Sequence, residues 1–194
     1  MNQAVRSFSM FHTDVVSSRS LRIFLGCASL TVLMSLGAVA RMPLFFTPVP
    51  LTLQTFFLVY GALALRRRSL FSIMGYLILG AAGLPVFTNF AYGPAALMGP
   101  TAGYLFGFLL CALILSFLVS DRPEINVKRD AAVLLLGMLS CLIPGMLWLK
   151  ILTGMNFKTA FLTGFLPFVA GDIAKISLAY ILYRKTRLRL QKLF

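Results

Sequence analysis

From residue 21 onward the chain is a succession of six apolar runs, 21–40, 51–65, 69–84, 101–119, 131–151 and 158–183, separated by short segments that hold most of its charge. A helix needs about 20 apolar residues to cross the roughly 30 Å hydrocarbon core of a bilayer. Inside that core no water meets the backbone, so a crossing segment must satisfy its own N–H and C=O groups, which a helix does. Of 194 residues 59% are hydrophobic and 12% charged. A soluble domain carries about a quarter of its residues as charge. The runs therefore predict an all-α, polytopic membrane protein with six transmembrane helices. The expected domains are an N-terminal tail over 1–20, a six-helix membrane domain over 21–184 and a basic tail over 185–194.

The net charge of +13 would suit a nucleic-acid partner if it lay on one polar face. It does not. With the N-terminus in the cytoplasm, inner segments hold three Lys or Arg in 1–22, three in 66–68, three in 121–130 and five in 184–194. Outer segments hold Arg41, Lys150 and Lys158 alone. Basic residues gather on the cytoplasmic side of membrane proteins, so this asymmetry predicts six crossings of the cell membrane with both termini inside. Nucleic acid is excluded as a partner, and lipid is the expected surroundings.

Several kinds of chemistry are absent. Cys27, Cys111 and Cys141 lie far apart in apolar runs, which suits packing and not a disulfide or zinc site. The only histidine, His12, stands in the polar N-terminal tail, so triads and His-based metal sites have no material. No phosphate-binding GxxxxGK[ST] loop occurs. The first run reads as a span that stays in the protein, with no removed signal peptide.

Two places break the apolar pattern. The stretch 85–100, PVFTNFAYGPAALMGP, is apolar enough for membrane depth, but its prolines and glycines oppose a helix. It is expected to fold back into the outer mouth of the bundle between the third and fourth helices. An external loop is the alternative. The second break is Asp172 with Lys175, the one charged pair within a run. A charge at the centre of a span costs about 2.5–3.5 kcal/mol, so it is normally paired and functional. Spacing of three puts both side chains on one helix face, where they can neutralise each other or receive a polar solute. A purely structural ion pair is the alternative. Gln54 and Asn89 add neutral hydrogen-bonding groups near the outer face, and Tyr92 and Tyr104 could stack on a ring or serve as interfacial aromatics.

Four ordered blocks, TPVPLTLQT at 47–55, GAAGLPVF at 80–87, LMGPTAGYLFGF at 97–108 and GFLPFVAGDIAK at 164–175, resemble the BioY family. Its members are the biotin-specific substrate-binding (S) components of energy-coupling-factor (ECF) transporters. The resemblance implies a six-helix, high-affinity biotin-binding protein. It would work alone or with a transmembrane coupling protein and two ATPases, as a monomer or a homo-oligomer. It implies that Asp172 and Lys175 are the family's essential pair and that Asn89 brings a loop amide to the ligand, with Gln54 and Tyr104 as further contacts. No cofactor, metal or catalytic residue is implied, and the chain is expected not to be an enzyme. In the first helix the family's Ala-x-x-x-Ala face is replaced: Val32 follows Ala28, and the small residues are Cys27, Thr31 and Ser35. Other readings of the same residues are uptake of another vitamin, a small intramembrane lipid enzyme, or a membrane scaffold.

Overall fold

A computed structural model describes residues 19–118 and 126–193. His12, the tail up to residue 18 and residues 121–125 of the charged connector lie outside the described residues.

The chain is a helical bundle. Helix α1 spans Arg19–Val39 and is followed by a hairpin of two-residue strands, β1 (Arg41–Met42) and β2 (Leu51–Thr52). The strands are antiparallel, with Arg41 opposite Thr52 and Met42 opposite Leu51. Then come α2 (Gln54–Leu65), a 3₁₀ turn (Arg66–Arg68) and α3 (Ser69–Ala81). A long irregular segment holds only the turns Thr88–Phe90 and Gly93–Ala96. Helices α4 (Ala102–Leu118), α5 (Val127–Thr153), α6 (Phe157–Gly164) and α7 (Leu166–Leu193) complete the order.

Three stretches are long and apolar enough to cross a membrane by themselves: α1, α5, and α6 with α7 taken together. In the most apolar window of α1 only 22% of residues are buried. Phe24, Phe71, Phe106 and Ile151 are exposed on the outside of the bundle as well. An exterior this apolar requires lipid as its solvent, since water would penalise each such patch.

Local chemistry sets the element ends. The backbone N–H of Leu53 reaches the carbonyls of Gly37 (3.1 Å) and Ala40 (3.2 Å), closing the end of α1 and starting α2 beside it. Gly37 permits that approach, because a Cβ there would lie 3.0 Å from the backbone nitrogen of Gln54. Asn126 and Asn156 cap α5 and α6 by accepting from the N–H groups of Arg129 and Thr159. Gly154, at φ 68°, ends α5 in the left-handed conformation that glycine tolerates.

The expected spans need four corrections. The second starts at Gln54, because 51–52 pair with β1. It has 12 residues and the third has 13, ending at Ala81. The sixth is broken at Phe165, because Pro167 has no N–H to continue the ladder. It also does not stop at 183: α7 runs on to Leu193, so the expected tail is mostly helix. Pro144, by contrast, lies within α5 without ending it.

The bundle packs α4 against α5, α2 against α7, and α1 against both α2 and α3. The α4 and α5 contact is made of small residues. A Cβ on Gly107 would meet Cα and O of Cys141 at 2.7 Å, and one on Gly103 would meet O of Pro144 at 2.4 Å. Small residues let membrane helices approach closely enough for backbone contact to replace the missing hydrophobic drive.

Candidate functional site

Where β2 and α2 meet α4, α5 and α7, the bundle forms a partly open cavity of about 50 Å³. Its polar walls are Thr52, Gln54, Thr55, Thr88, Thr101, Tyr104, Asp172 and Lys175, and its apolar walls include Leu105, Phe108 and Phe168. Tyr92, 60% exposed, lies outside; of the other five residues singled out in the sequence, four come together here: Gln54, Tyr104, Asp172 and Lys175. Asn89 does not. It is exposed, and its neighbour Thr88 lines the cavity instead.

Asp172 is 2% exposed. Its Oδ1 lies 2.6 Å from Nζ of Lys175 and accepts at 2.9 Å from the hydroxyl of Thr55. Oδ2 accepts nothing among the described residues. Lys175 donates a second bond to the carbonyl of Thr52 at 2.9 Å. A buried ion pair is tolerable only when close geometry and added hydrogen bonds offset desolvation. The hairpin and the first turn of α2 provide those bonds from across the bundle.

Gln54 is 3% exposed and bonded at both ends of its side-chain amide. Its Oε1 accepts from the Thr52 hydroxyl at 3.1 Å, and its Nε2 donates to the hydroxyl of Tyr76 at 2.7 Å. Tyr104 fits over Gly145, where a Cβ would be 2.2 Å from its ring, and faces Phe168 at 5.8 Å between centroids. Its hydroxyl donates to the carbonyl of Gly164. That carbonyl is freed by the break before α7, because the N–H of Phe168 bonds to Phe165 instead.

Thr52, Thr55, Tyr76 and Phe168 were not picked out in the sequence. Threonine and phenylalanine are too common in spans to stand out. Tyr76 carried a signal: it sits mid-span, whereas tyrosine favours the ends of membrane helices. Among the described residues, no three His, Cys, Asp or Glu side chains gather as a metal site would require.

An apolar bundle packed around a charged pair and a ring of hydroxyl and amide groups defines a helical membrane protein with a polar pocket, the candidate site for a solute. The sequence profile of the BioY family matches residues 9–192, and the chain belongs to that family. Similar proteins include the biotin transporter BioY of Thermotoga maritima, 37% identical over 84% of this chain and 92% of that one. The probable biotin transporter BioY of Pyrococcus horikoshii is 39% identical over 70% of this chain and 78% of its own length. The crystal structure of an S-component for biotin from an ECF-type ABC transporter superposes with a TM-score of 0.76 at 26% identity, covering 88% of this chain and 93% of that one.

Proposed function

We propose that the chain is a high-affinity biotin-binding S component that takes up biotin across the cell membrane, alone or with an ATP-driven module of a coupling protein and two ATPases. The observation that carries this is the bonding around Asp172 and Lys175: a buried pair, held by Thr52 and Thr55, in a family whose named relatives are biotin transporters. Biotin presents a carboxylate at one end and a ureido ring at the other. The Lys175 ammonium suits the carboxylate, and Oδ2 of Asp172 can accept from a ureido N–H. Gln54 and Tyr104 form the walls. This chemistry calls for no cofactor and breaks no covalent bond.

The cavity has room for a few water molecules. Biotin enters past the 85–100 segment, the part of the surroundings with the least helix. On the proposed topology that segment and the hairpin lie at the outer mouth, the six runs cross, and both termini are cytoplasmic. Helices of 12 and 13 residues reach only about 18–20 Å, so the hairpin and the loop supply the remaining depth, sheltered by the bundle. Asn89 reaches the ligand as the loop rearranges.

Labelled biotin and detergent-purified protein test this. Wild type should bind, and Lys175→Ala should not. Unchanged affinity in the variant overturns the site, and wild type that neither binds nor co-purifies with biotin overturns the function.

A further inference from the structure

Hydrogen bonds that meet at Thr52 link the ion pair to the loop after α3. Lys175 donates to the carbonyl of Thr52 (2.9 Å). The Thr52 hydroxyl donates to Oε1 of Gln54 (3.1 Å). Nε2 of Gln54 donates to the Tyr76 oxygen (2.7 Å), and the Tyr76 hydroxyl donates to the carbonyl of Val86 (3.1 Å). Lys175 and Gln54 hold Thr52 by different groups, its main-chain carbonyl and its hydroxyl; from that hydroxyl onward the bonds run head to tail, an arrangement in which each polarises the next. Gln54 faces the cavity, whereas Tyr76 is fully buried behind it and is not part of its lining.

The far end of this line is the root of the loop. Phe87, 1% exposed, stands edge-on to Tyr76 at 5.3 Å. It covers Gly80, where a Cβ would lie 2.1 Å from its ring. The chain is thus pinned at 86–87. Beyond the pin, Asn89 (φ 63°) and Phe90 (φ 55°) are consecutive non-glycine residues in the left-handed region. Each costs about 1 kcal/mol or more relative to ordinary conformations. Phe90 and Tyr92 are also 58% and 60% exposed. A segment fixed at its root and strained at its tip has a second arrangement within reach.

We propose that Tyr76 is a positioning residue that couples occupancy of the Asp172 and Lys175 site to the conformation of the loop. The inference rests on the solute site proposed above. A solute carboxylate that engages Lys175 draws the ammonium from Thr52. Gln54, held by the same threonine, shifts with it, and the Tyr76 bond to Val86 passes the change to the strained tip. Coupling of this kind is reciprocal, so the loop state reached on binding must in turn hold the solute. Tyr76→Phe keeps the ring against Phe87 and removes both of its hydrogen bonds.

The test measures release of labelled biotin from the full chain in detergent, together with amide hydrogen exchange over residues 84–92 with and without biotin. Wild type should show biotin-dependent protection there. Tyr76→Phe should still bind, release biotin roughly fivefold to tenfold faster, as loss of one or two modest hydrogen bonds implies, and lose that dependence. A variant that is merely less stable, with wild-type release and an unchanged response of 84–92, overturns the proposal. So does wild type whose 84–92 exchange ignores bound biotin, a result that needs no variant to fold. Wild type that binds no biotin would count against the proposed function instead.

Discussion

The hydroxyl of Tyr104 is bonded to the carbonyl of Gly164, 60 residues further along the chain, where the last span breaks. One side chain of α4 thus takes up the carbonyl left open where α6 gives way to α7, and the same ring lines the candidate cavity. Tyr104→Phe strands that buried carbonyl. It should lower stability by about 1–3 kcal/mol, read as a lower melting temperature in detergent, and weaken biotin binding by loosening Phe168 beside it.

The ion pair separates stability from binding. Lys175→Met leaves Asp172 buried with Thr55 as its remaining partner, and should cost about 3–5 kcal/mol. Asp172→Asn with Lys175→Met removes both charges and should recover much of that loss in a thermal melt. Neither protein should retain labelled biotin. A double variant that binds would reduce the pair to a packing device.

Close approach of α4 to α5 makes a second contrast. Gly107→Ala sets a methyl 2.7 Å from the backbone of Cys141, which cannot give way, and should cost about 1–3 kcal/mol. Gly75→Ala meets only the Thr31 hydroxyl at 3.7 Å, so helix propensity should leave stability unchanged or raise it by up to about 1 kcal/mol. Melting temperatures of the two variants check the direction.

Topology can be read by labelling. Lys158 and Lys185 are both exposed. In a Cys27→Ser background, Lys158→Cys should react with a membrane-impermeant maleimide on intact cells, and Lys185→Cys only after permeabilisation. The reverse pattern would invert the proposed orientation.

Asp172 and Lys175 were legible as a candidate because charge inside an apolar run is expensive anywhere along a chain, and the fold keeps them paired and largely out of solvent. Gln54 was legible as a polar group near the expected outer face, and Tyr104 as an aromatic that could stack on a ring, within a motif that resembles the family's. What the pattern of residues did not disclose was set by contacts distant in sequence. The strands at 41–42 and 51–52 are too short to show alternation. The bonds of Thr55 to Asp172 and Gln54 to Tyr76 join helices that only the fold brings together. The break at Phe165 was signalled by Pro167, yet the apolar run across it gave no sign of interruption. Gly103 and Gly107 form a spacing that suits helix contact, but glycine is common in spans, and only the neighbouring backbone of α5 shows its use.

Twelve residues make up α2, so about 18 Å of helix separates Gln54 from the arginines that follow Leu65. On the proposed orientation, a solute beside Gln54 has a little over half of the hydrocarbon thickness still to travel. The two legs of import then differ in kind. If the loop opens as proposed, diffusion alone would deliver the solute to mid-depth, and whatever drives the final leg would have to open a plug thinner than the membrane itself.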